Sequence, residues 1–387
     1  MFGSAGWLRD PRWARWGLVL AAALVLVVAG VAVAQTVQSR YAVPGDDLLP
    51  EGTPSATTPA ASPTAAASPT PGPGAGITGP LNILLVGIDP RSWDPTWVPN
   101  ADAVLILHVP EGLRSAYLFS LPRDLLVDVP AFEPARYGGG RTKLTHAMSS
   151  GSRVPGSNLP DVGQGFQLLA ETVSRYTGIG RFDAGAVLNF GGFTKLVDAL
   201  GGVDLYVDQR VVSEHMRPDG VHREPRAGGG GYVGPQQVYE EGVHHLVGWQ
   251  ALDYARQRYG VEGGDYGRQR HQQHLIKALL REAFEADLVS NPLRLDRVLR
   301  AVGDALVFDG RGHDVIDYAF ALRRVRPGSM VLVSLPGTSV FGGFGYAGEQ
   351  LGPVAGDFFE AIRKDRIARF LRAHPELLNP DRPAARP

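Results

Sequence analysis

Apolar and polar positions change rhythm several times along this chain, and each rhythm predicts an element. Residues 81–89, Leu81-Asn82-Ile83-Leu84-Leu85-Val86-Gly87-Ile88-Asp89, form a nearly continuous apolar run that ends on an acid. Residues 103–109 and 115–121 are shorter runs rich in Val, Ile, Leu and aromatics. Such runs read as strands buried on both faces. Residues 164–176 place apolar side chains at helical spacing and are closed by Gly178, residues 184–190 read as a strand, and 193–200 as a helix stopped by Gly201-Gly202. Residues 203–207 alternate as the following strand.

Further along, residues 249–255 predict a helix with Leu252 and Ala255 inward. Residues 267–285 predict another, with Leu275, Ile276, Leu279, Leu280 and Phe284 as its buried stripe. Residues 293–306 and 315–325 are helical by period, 330–335 form a strand, and 354–373 a terminal helix. Strands alternating with helices imply an α/β fold with a central mixed sheet covered by helices on both faces, an α/β/α sandwich. Residues 132–161 and 213–242 are long, polar and glycine-rich, and read as loops of the kind that serve as lids or mobile segments.

Ahead of this domain, residues 17–34 contain only Gly, Leu, Val and Ala, a length that spans a bilayer core at roughly 1.5 Å per residue. Arg9, Arg12 and Arg15 precede it and Trp13 and Trp16 stand as interfacial anchors, so residues 1–16 are expected in the cytoplasm and the rest outside. Ala32-Val33-Ala34 also fits the cleavage pattern of a secretory signal. Residues 35–80 are dominated by Pro, Ala, Ser, Thr and Gly and predict a disordered linker. A domain over 81–340 and a loop, helix and tail over 341–387 complete the division. The 387 residues carry a net charge of only -1, which predicts no nucleic-acid partner, and the absence of cysteine excludes disulfides, thiolate metal sites and a cysteine nucleophile. His222, His244, His245, His271 and His274 have no regular metal-ligand spacing.

Local charge is more informative than net charge. Arg256 and Arg258 are two apart, roughly 200° around a helix but on one side of an extended segment. The helix is therefore expected to end near Ala255, with both guanidiniums pointing into one cleft. Arg268 and Gln272, at i and i+4, share a helix face. Several converging arginines suit phosphate oxygens, which a planar fork of donors binds two at a time. Asp89 ends one predicted strand and Asp102 precedes the next, so adjacent strands would bring both carboxylates to one sheet edge, with Arg123 closing the third strand there. Magnesium suits that place, because it takes one or two carboxylates and completes its shell with water and phosphate oxygens.

The succession Leu84-Leu85-Val86-Gly87-Ile88-Asp89, Ala101-Asp102, Ser120-Leu121-Pro122-Arg123-Asp124, Lys143-Leu144-Thr145-His146-Ala147, Phe190-Gly191-Gly192-Phe193, Leu196-Val197-Asp198-Ala199-Leu200-Gly201-Gly202-Val203, Gly248-Trp249-Gln250-Ala251-Leu252, Tyr254-Ala255-Arg256-Gln257-Arg258, Asp265-Tyr266-Gly267-Arg268 and Gln272-Gln273 resembles the LytR-CpsA-Psr family of cell-envelope proteins. The resemblance implies a membrane-anchored transferase that moves a glycopolymer from a polyprenyl pyrophosphate carrier to peptidoglycan through a phosphodiester, with Mg2+ at the pyrophosphate and the lipid in an apolar tunnel. It implies metal-associated roles for Asp89 and Asp102, and pyrophosphate binding by Arg123, Arg256, Arg258, Arg268 and Gln272. Arg91, Lys143 and Asp265 are further substrate-binding candidates, and Asp124 or Asp265 a candidate base. Helices carrying Phe166, Leu168, Leu169 and Val173, or Phe193, Leu196, Val197 and Leu200, are the candidate tunnel walls. Asn100 stands where many members carry arginine, and Thr145 where asparagine is common. A hydrolase using water as acceptor, and a non-catalytic wall-binding or regulatory module, are the competing expectations.

Overall fold

A computed structural model of the chain describes residues 74–381, apart from 92–93, 228–230, 287, 289–296, 299 and 344. The anchor expected at 17–34, the cytoplasmic segment before it and most of the expected linker lie outside the described residues. Among those described, no helix is long and apolar enough to cross a membrane.

The continuous apolar runs form the centre of a mixed sheet. Strands β1 (Leu81–Ile88), β2 (Ala101–Val109) and β3 (Ala116–Leu121) are consecutive antiparallel neighbours. A hairpin, β4 (Leu126–Val129) and β5 (Gly140–Lys143), leads to helix α1 (Thr145–Gly151) and then α2 (Val162–Thr177). Strand β6 (Ala184–Asn189) returns parallel to β1 and runs into α3 (Phe190–Leu200). The ribbon of β7 (Val203–Val207) and β8 (Gly242–Leu246) delivers α4 (Gly248–Arg256) and the long α5 (Asp265–Glu285). Strand β9 (Leu306–Asp309), helix α6 (Val315–Ala321) and strand β10 (Met330–Val333) complete the sheet, in the order β9-β6-β1-β2-β3-β10. A hairpin, β11 (Gly337–Gly342) with β12 (Gly345–Leu351), and helices α7 (Val354–Arg363) and α8 (Ile367–Ala373) follow.

Because side chains alternate across a strand, β1 feeds two cores. Ile83 and Leu85 join Leu196, Ala251, Tyr254, Leu275 and Leu279 of α3, α4 and α5 on one face. Leu84 and Val86 join Met148, Phe166, Leu169, Phe358 and Phe359 of α1, α2 and α7 on the other. Helices thus cover both faces. Helix α3 ends where Gly201 adopts a left-handed φ of 93°, and α4 starts against it. A Cβ on Gly248 would lie 2.3 Å from the Thr194 carbonyl oxygen, so only glycine allows that approach. Buried Gln273 clasps α5 to the sheet, donating to Ser120 Oγ and the Val333 carbonyl, both at 3.0 Å.

Several elements differ from the sequence reading. Residues 132–161 are not one loop: β5 and α1 lie inside them, too short to show a period. The glycine-rich segment after residue 336 is the hairpin β11–β12. The helix expected over 293–306 lies partly outside the described residues. Its end is a strand, with Leu306 pairing with Leu188 at the sheet edge. The helix expected over 315–325 stops at Ala321, and the chain turns over residues 322–324 before the short helical turn Pro327–Ser329. The terminal helix over 354–373 breaks in two at Asp365, whose φ of 49° lets its carboxylate accept from the Glu111 amide and meet His108 Nε2, both at 3.1 Å.

The C-terminal helices are integral to the second core. Phe358 is fully buried with its ring 4.9 Å from that of Phe119, edge to face. Phe358→Ala is expected to lower the unfolding free energy by about 3–5 kcal/mol, read as a reduced urea midpoint. An unchanged midpoint would show that α7 does not stabilise the sheet.

Candidate functional site

The site forms where β1 ends and β2 begins. A bulge shifts the register between Gly87 and Ile88, so Gly87 pairs with Ala103 and Ile88 with Ala101. Asp102 is the extra residue, and a bulge of this kind re-aims a side chain. Asp102 pairs with Arg123, which follows β3 and also approaches Asp124 at 3.5 Å. Asp124 in turn accepts from Lys143 Nζ at 3.2 Å, and Tyr346 of β12 contributes its hydroxyl to Asp124 and its ring to Lys143, 4.7 Å away.

Helix α4 ends at Arg256, one residue later than expected, and Gln257 is extended (φ −68°, ψ 131°). The extended turn makes Arg256 and Arg258 line the same cavity, as their spacing predicts, while the Gln257 side chain is buried. Gln257 Nε2 donates to Asp253 Oδ1 at 2.7 Å, and Ser213 and Tyr239 hydroxyls donate to the same carboxylate, each at 2.9 Å. That buried cluster anchors the turn from which both guanidiniums project. Arg256 lies 3.5 Å from Asp89 and stacks 4.6 Å over the Phe190 ring. Arg258 stacks on Tyr259 and donates to its hydroxyl. Among the described residues it has no carboxylate partner.

Helix α5 supplies the remaining groups. Arg268, with a side chain only 7% exposed, pairs with Asp265 at 2.5 Å, and its Nε has no hydrogen-bond partner among the described residues. Gln272 donates to the Ala255 carbonyl at 3.2 Å. Asp102, Arg123, Arg256, Arg258, Arg268 and Gln272 all line one cavity, with Asp89 and Asp265 attached to it through their arginines. Lys143 stands one ion pair further out. Arg91 stacks 3.8 Å over Trp97 and acts electrostatically on Asp89.

Below these charges the cavity is apolar, walled by Leu85, Leu105, Leu188, Phe193, Leu252 and Leu275. Its void, counted with the solvent-open mouth, is about 1110 Å³. Of the two helices proposed as walls, α3 contributes Phe193, with Phe190 beside it, whereas Leu196 and Val197 are buried in the core and Leu200 packs against it. Helix α2 does not, because Phe166, Leu168, Leu169 and Val173 pack on the opposite face of the sheet.

The electrostatics separate the acids. Burial pushes the Asp89 carboxyl above its usual range, against Arg256 and with help from Asp102. Burial also acts to raise Asp124, but Lys143, Arg123 and Tyr346 together outweigh it and hold that carboxyl low, which makes it a weak base. Burial lowers Arg268, Asp265 counteracts, and the guanidinium stays charged.

The model of the LytR_cpsA_psr family matches residues 56–352. The chain belongs to that family. Biofilm regulatory protein A of Streptococcus mutans is 29% identical over 58% of this chain and 48% of its own length, so the chain spans about half of that relative. The polyisoprenyl-teichoic acid–peptidoglycan teichoic acid transferase TagU of Enterococcus faecalis is 28% identical over 64% of this chain and 68% of its own. The crystal structure of protein gbs0355 from Streptococcus agalactiae shares the fold, with a TM-score of 0.57 at 22% identity over 74% of this chain and 87% of that one.

Of the two acids expected to hold a metal, Asp102 is paired with Arg123 and Asp89 with Arg256. The two stand close enough at one sheet edge for the Asp102 charge to raise Asp89, and among the described residues no group of three or more His, Cys, Asp or Glu side chains could hold a metal ion. Within this family frame, Thr145 is buried with its hydroxyl unpartnered among the described residues, and its amide donates to the Arg123 carbonyl at 2.8 Å. Sequence reasoning missed Phe190, Tyr346, Asp253 and Gln257, and also His215, which lines the same cavity. Asp253 gave little signal, because its neighbours at helical spacing, Gln250, Arg256 and Gln257, are themselves polar. Tyr346 had none, being far from its partners in the chain.

Next to the site, Asp208 fixes α5 by accepting from Arg270 Nε at 2.7 Å and pairing with His271 Nε2 at 2.9 Å. Burial would raise Asp208, but His271 and Arg270 outweigh it and hold the carboxyl far below the usual range. An acid depressed in the folded state contributes stability that is complete above its unfolded pKa and is lost as pH falls through the folded value. The stability difference between wild type and Asp208→Asn should therefore be full at about pH 6 and shrink from about pH 4.5 towards pH 2, as read by chemical unfolding. A difference that stays constant over that window would contradict the pairing.

Proposed function

We propose that this domain transfers a glycopolymer from a polyprenyl pyrophosphate carrier to peptidoglycan, leaving a phosphodiester link. The observation that carries the reading is the cavity: apolar walls for a lipid, and a rim of guanidiniums for the diphosphate at its end. A polyprenyl chain gains about 0.8 kcal/mol for each methylene taken from water, so a sheet-to-helix void under the cations binds both halves of such a molecule. The family and the E. faecalis relative support the same reading.

In this reading Asp89 and Asp102 hold magnesium, which when bound neutralises charge on the diphosphate oxygens. The raised Asp89 carboxyl suits that role, since a cation favours the ionised form that burial disfavours. Arg256 and Arg258 meet the bridging and leaving oxygens, and Arg123 and Arg268 the outer phosphate. Phosphoryl transfer needs positioning and charge stabilisation more than covalent help. Arg256 and Arg268 are already oriented by Phe190 and Asp265, so little order is lost when substrate arrives. Gln272, tied to the Ala255 carbonyl, keeps the two arginine-bearing helices in register. The run at 17–34 anchors the domain on the outer membrane face, where both substrates meet it.

The test is transfer of a synthetic polyprenyl pyrophosphate glycan to wall fragments. Wild-type chain with magnesium should give polymer joined to wall, and chelation should stop it. Arg256→Ala combined with Arg258→Ala should cut the rate at least about a hundredfold. Free polymer phosphate as the product would favour the hydrolase instead, and wild-type rates in the double variant would defeat the site assignment.

A further inference from the structure

Hairpin β11–β12 is seated beside the rim of the site, and one buried acid holds it there. Glu349 of β12 is only 6% exposed. Ser339 Oγ and the Tyr346 hydroxyl donate to its Oε1 at 2.8 and 2.9 Å, and the Tyr266 hydroxyl donates to Oε2 at 3.2 Å. Three hydroxyls thus satisfy a carboxyl group that burial would otherwise leave unpartnered. The Glu349 amide donates to the Asp124 carbonyl at 2.8 Å. Two glycines permit the fit. A Cβ on Gly337 of β11 would fall on the Tyr266 hydroxyl, and one on Gly348 of β12 would lie 2.6 Å from the Asp124 carbonyl oxygen.

The two tyrosines lead to different arginines. Tyr266 fixes the first turn of α5, from which Asp265 and Arg268 project as an ion pair of 2.5 Å. The Tyr346 hydroxyl also reaches Asp124 Oδ2, 3.3 Å away, and Asp124 approaches Arg123 at 3.5 Å. Burial first and Glu349 next raise both phenols above their ordinary range, so each keeps the proton that it donates. Arg123 and Arg268 stand close enough for the charge of one to lower the other, and both line the cavity. Two guanidiniums that repel keep a fixed separation only while the acids that hold them are themselves held.

We propose that Glu349 is a positioning residue: through Tyr266 and Tyr346 it holds Arg268 and Arg123 at the separation that grips one phosphate group. The inference rests on the transfer reading above, in which those two arginines meet the outer phosphate, and names what sets their spacing. Glu349 does not line the cavity and acts only through its neighbours. Order supplied in advance is order that binding does not have to create, and displacing a binding group by about 1 Å costs up to about a hundredfold in rate.

The experiment uses the full chain in detergent with magnesium. Calorimetry follows a short polyprenyl diphosphate and the corresponding monophosphate, which lacks the outer phosphate. Glu349→Ala should weaken diphosphate binding about tenfold and leave monophosphate binding within about twofold of wild type. Tyr266→Phe combined with Tyr346→Phe cuts the same two links without removing the acid and should show the same selectivity. Glu349→Gln, which keeps the length and one acceptor oxygen, should recover most of the diphosphate affinity. Ser339→Ala, which leads to no arginine, should bind both lipids as wild type does. An equal loss for both lipids would mark a general structural effect and overturn the assignment, as would a wild-type diphosphate affinity in Glu349→Ala. If the wild-type protein binds neither lipid, the transfer reading fails, and crystal structures of wild type and Glu349→Ala decide the positioning separately. Arg123 and Arg268 displaced in the variant support it, and unmoved side chains overturn it.

Discussion

Like charges repel most where water is scarce, and this fold gathers Arg123, Arg256, Arg258 and Arg268 around one half-buried mouth. Everything else about the site follows from how that repulsion is contained. Asp102, Asp89 and Asp265 each take one guanidinium, and aromatic rings receive two of the cations: Phe190 that of Arg256 and Tyr259 that of Arg258. The balance is incomplete at Arg258, which leaves positive potential facing the cavity. An anionic ligand completes what the acids begin.

The scaffold earns this arrangement through a few buried polar contacts rather than through the mouth itself. Gln273 fixes α5 to two strands, Asp208 fixes its outer face, and Asp253 fixes the turn after α4. Each is satisfied by several partners, as buried polar groups must be. They are remote from the reacting atoms but determine where the guanidiniums stand. The covering helices α3, α4 and α5 leave a void over the sheet instead of closing on it, and that void lies directly beneath the cations.

Much of this was legible in the chain. The apolar runs at β1, β2 and β3 are long enough to be read without ambiguity, and the two-residue spacing of Arg256 and Arg258 predicts their shared direction once the helix ends between them. Asp89 and Asp102 are readable as a pair because antiparallel neighbours bring a strand end and the next strand start together. Short or interrupted elements were not readable. The hairpin β4–β5 contains too few residues to display a period, β11–β12 is glycine-rich and largely exposed and so lacks apolar alternation, and the break at Asp365 depends on contacts with His108 and Glu111 that no local pattern encodes. Tyr346 and His215 reach the site from segments whose sequence is plain loop, so only the folded chain brings them there. The assignment of α2 as a cavity wall failed for a related reason: periodicity reports that a helix has a buried face, but not which side of the sheet it covers.

The central claim is that the apolar void and the guanidinium rim bind one amphipathic molecule together. A crystal structure of the full-length protein with a short polyprenyl diphosphate tests it most directly. The tail should lie among Leu85, Leu105, Leu188 and Leu275, with the diphosphate between Arg256, Arg258 and the Asp89–Asp102 edge. A diphosphate bound elsewhere, or a tail that leaves the void empty, would contradict it.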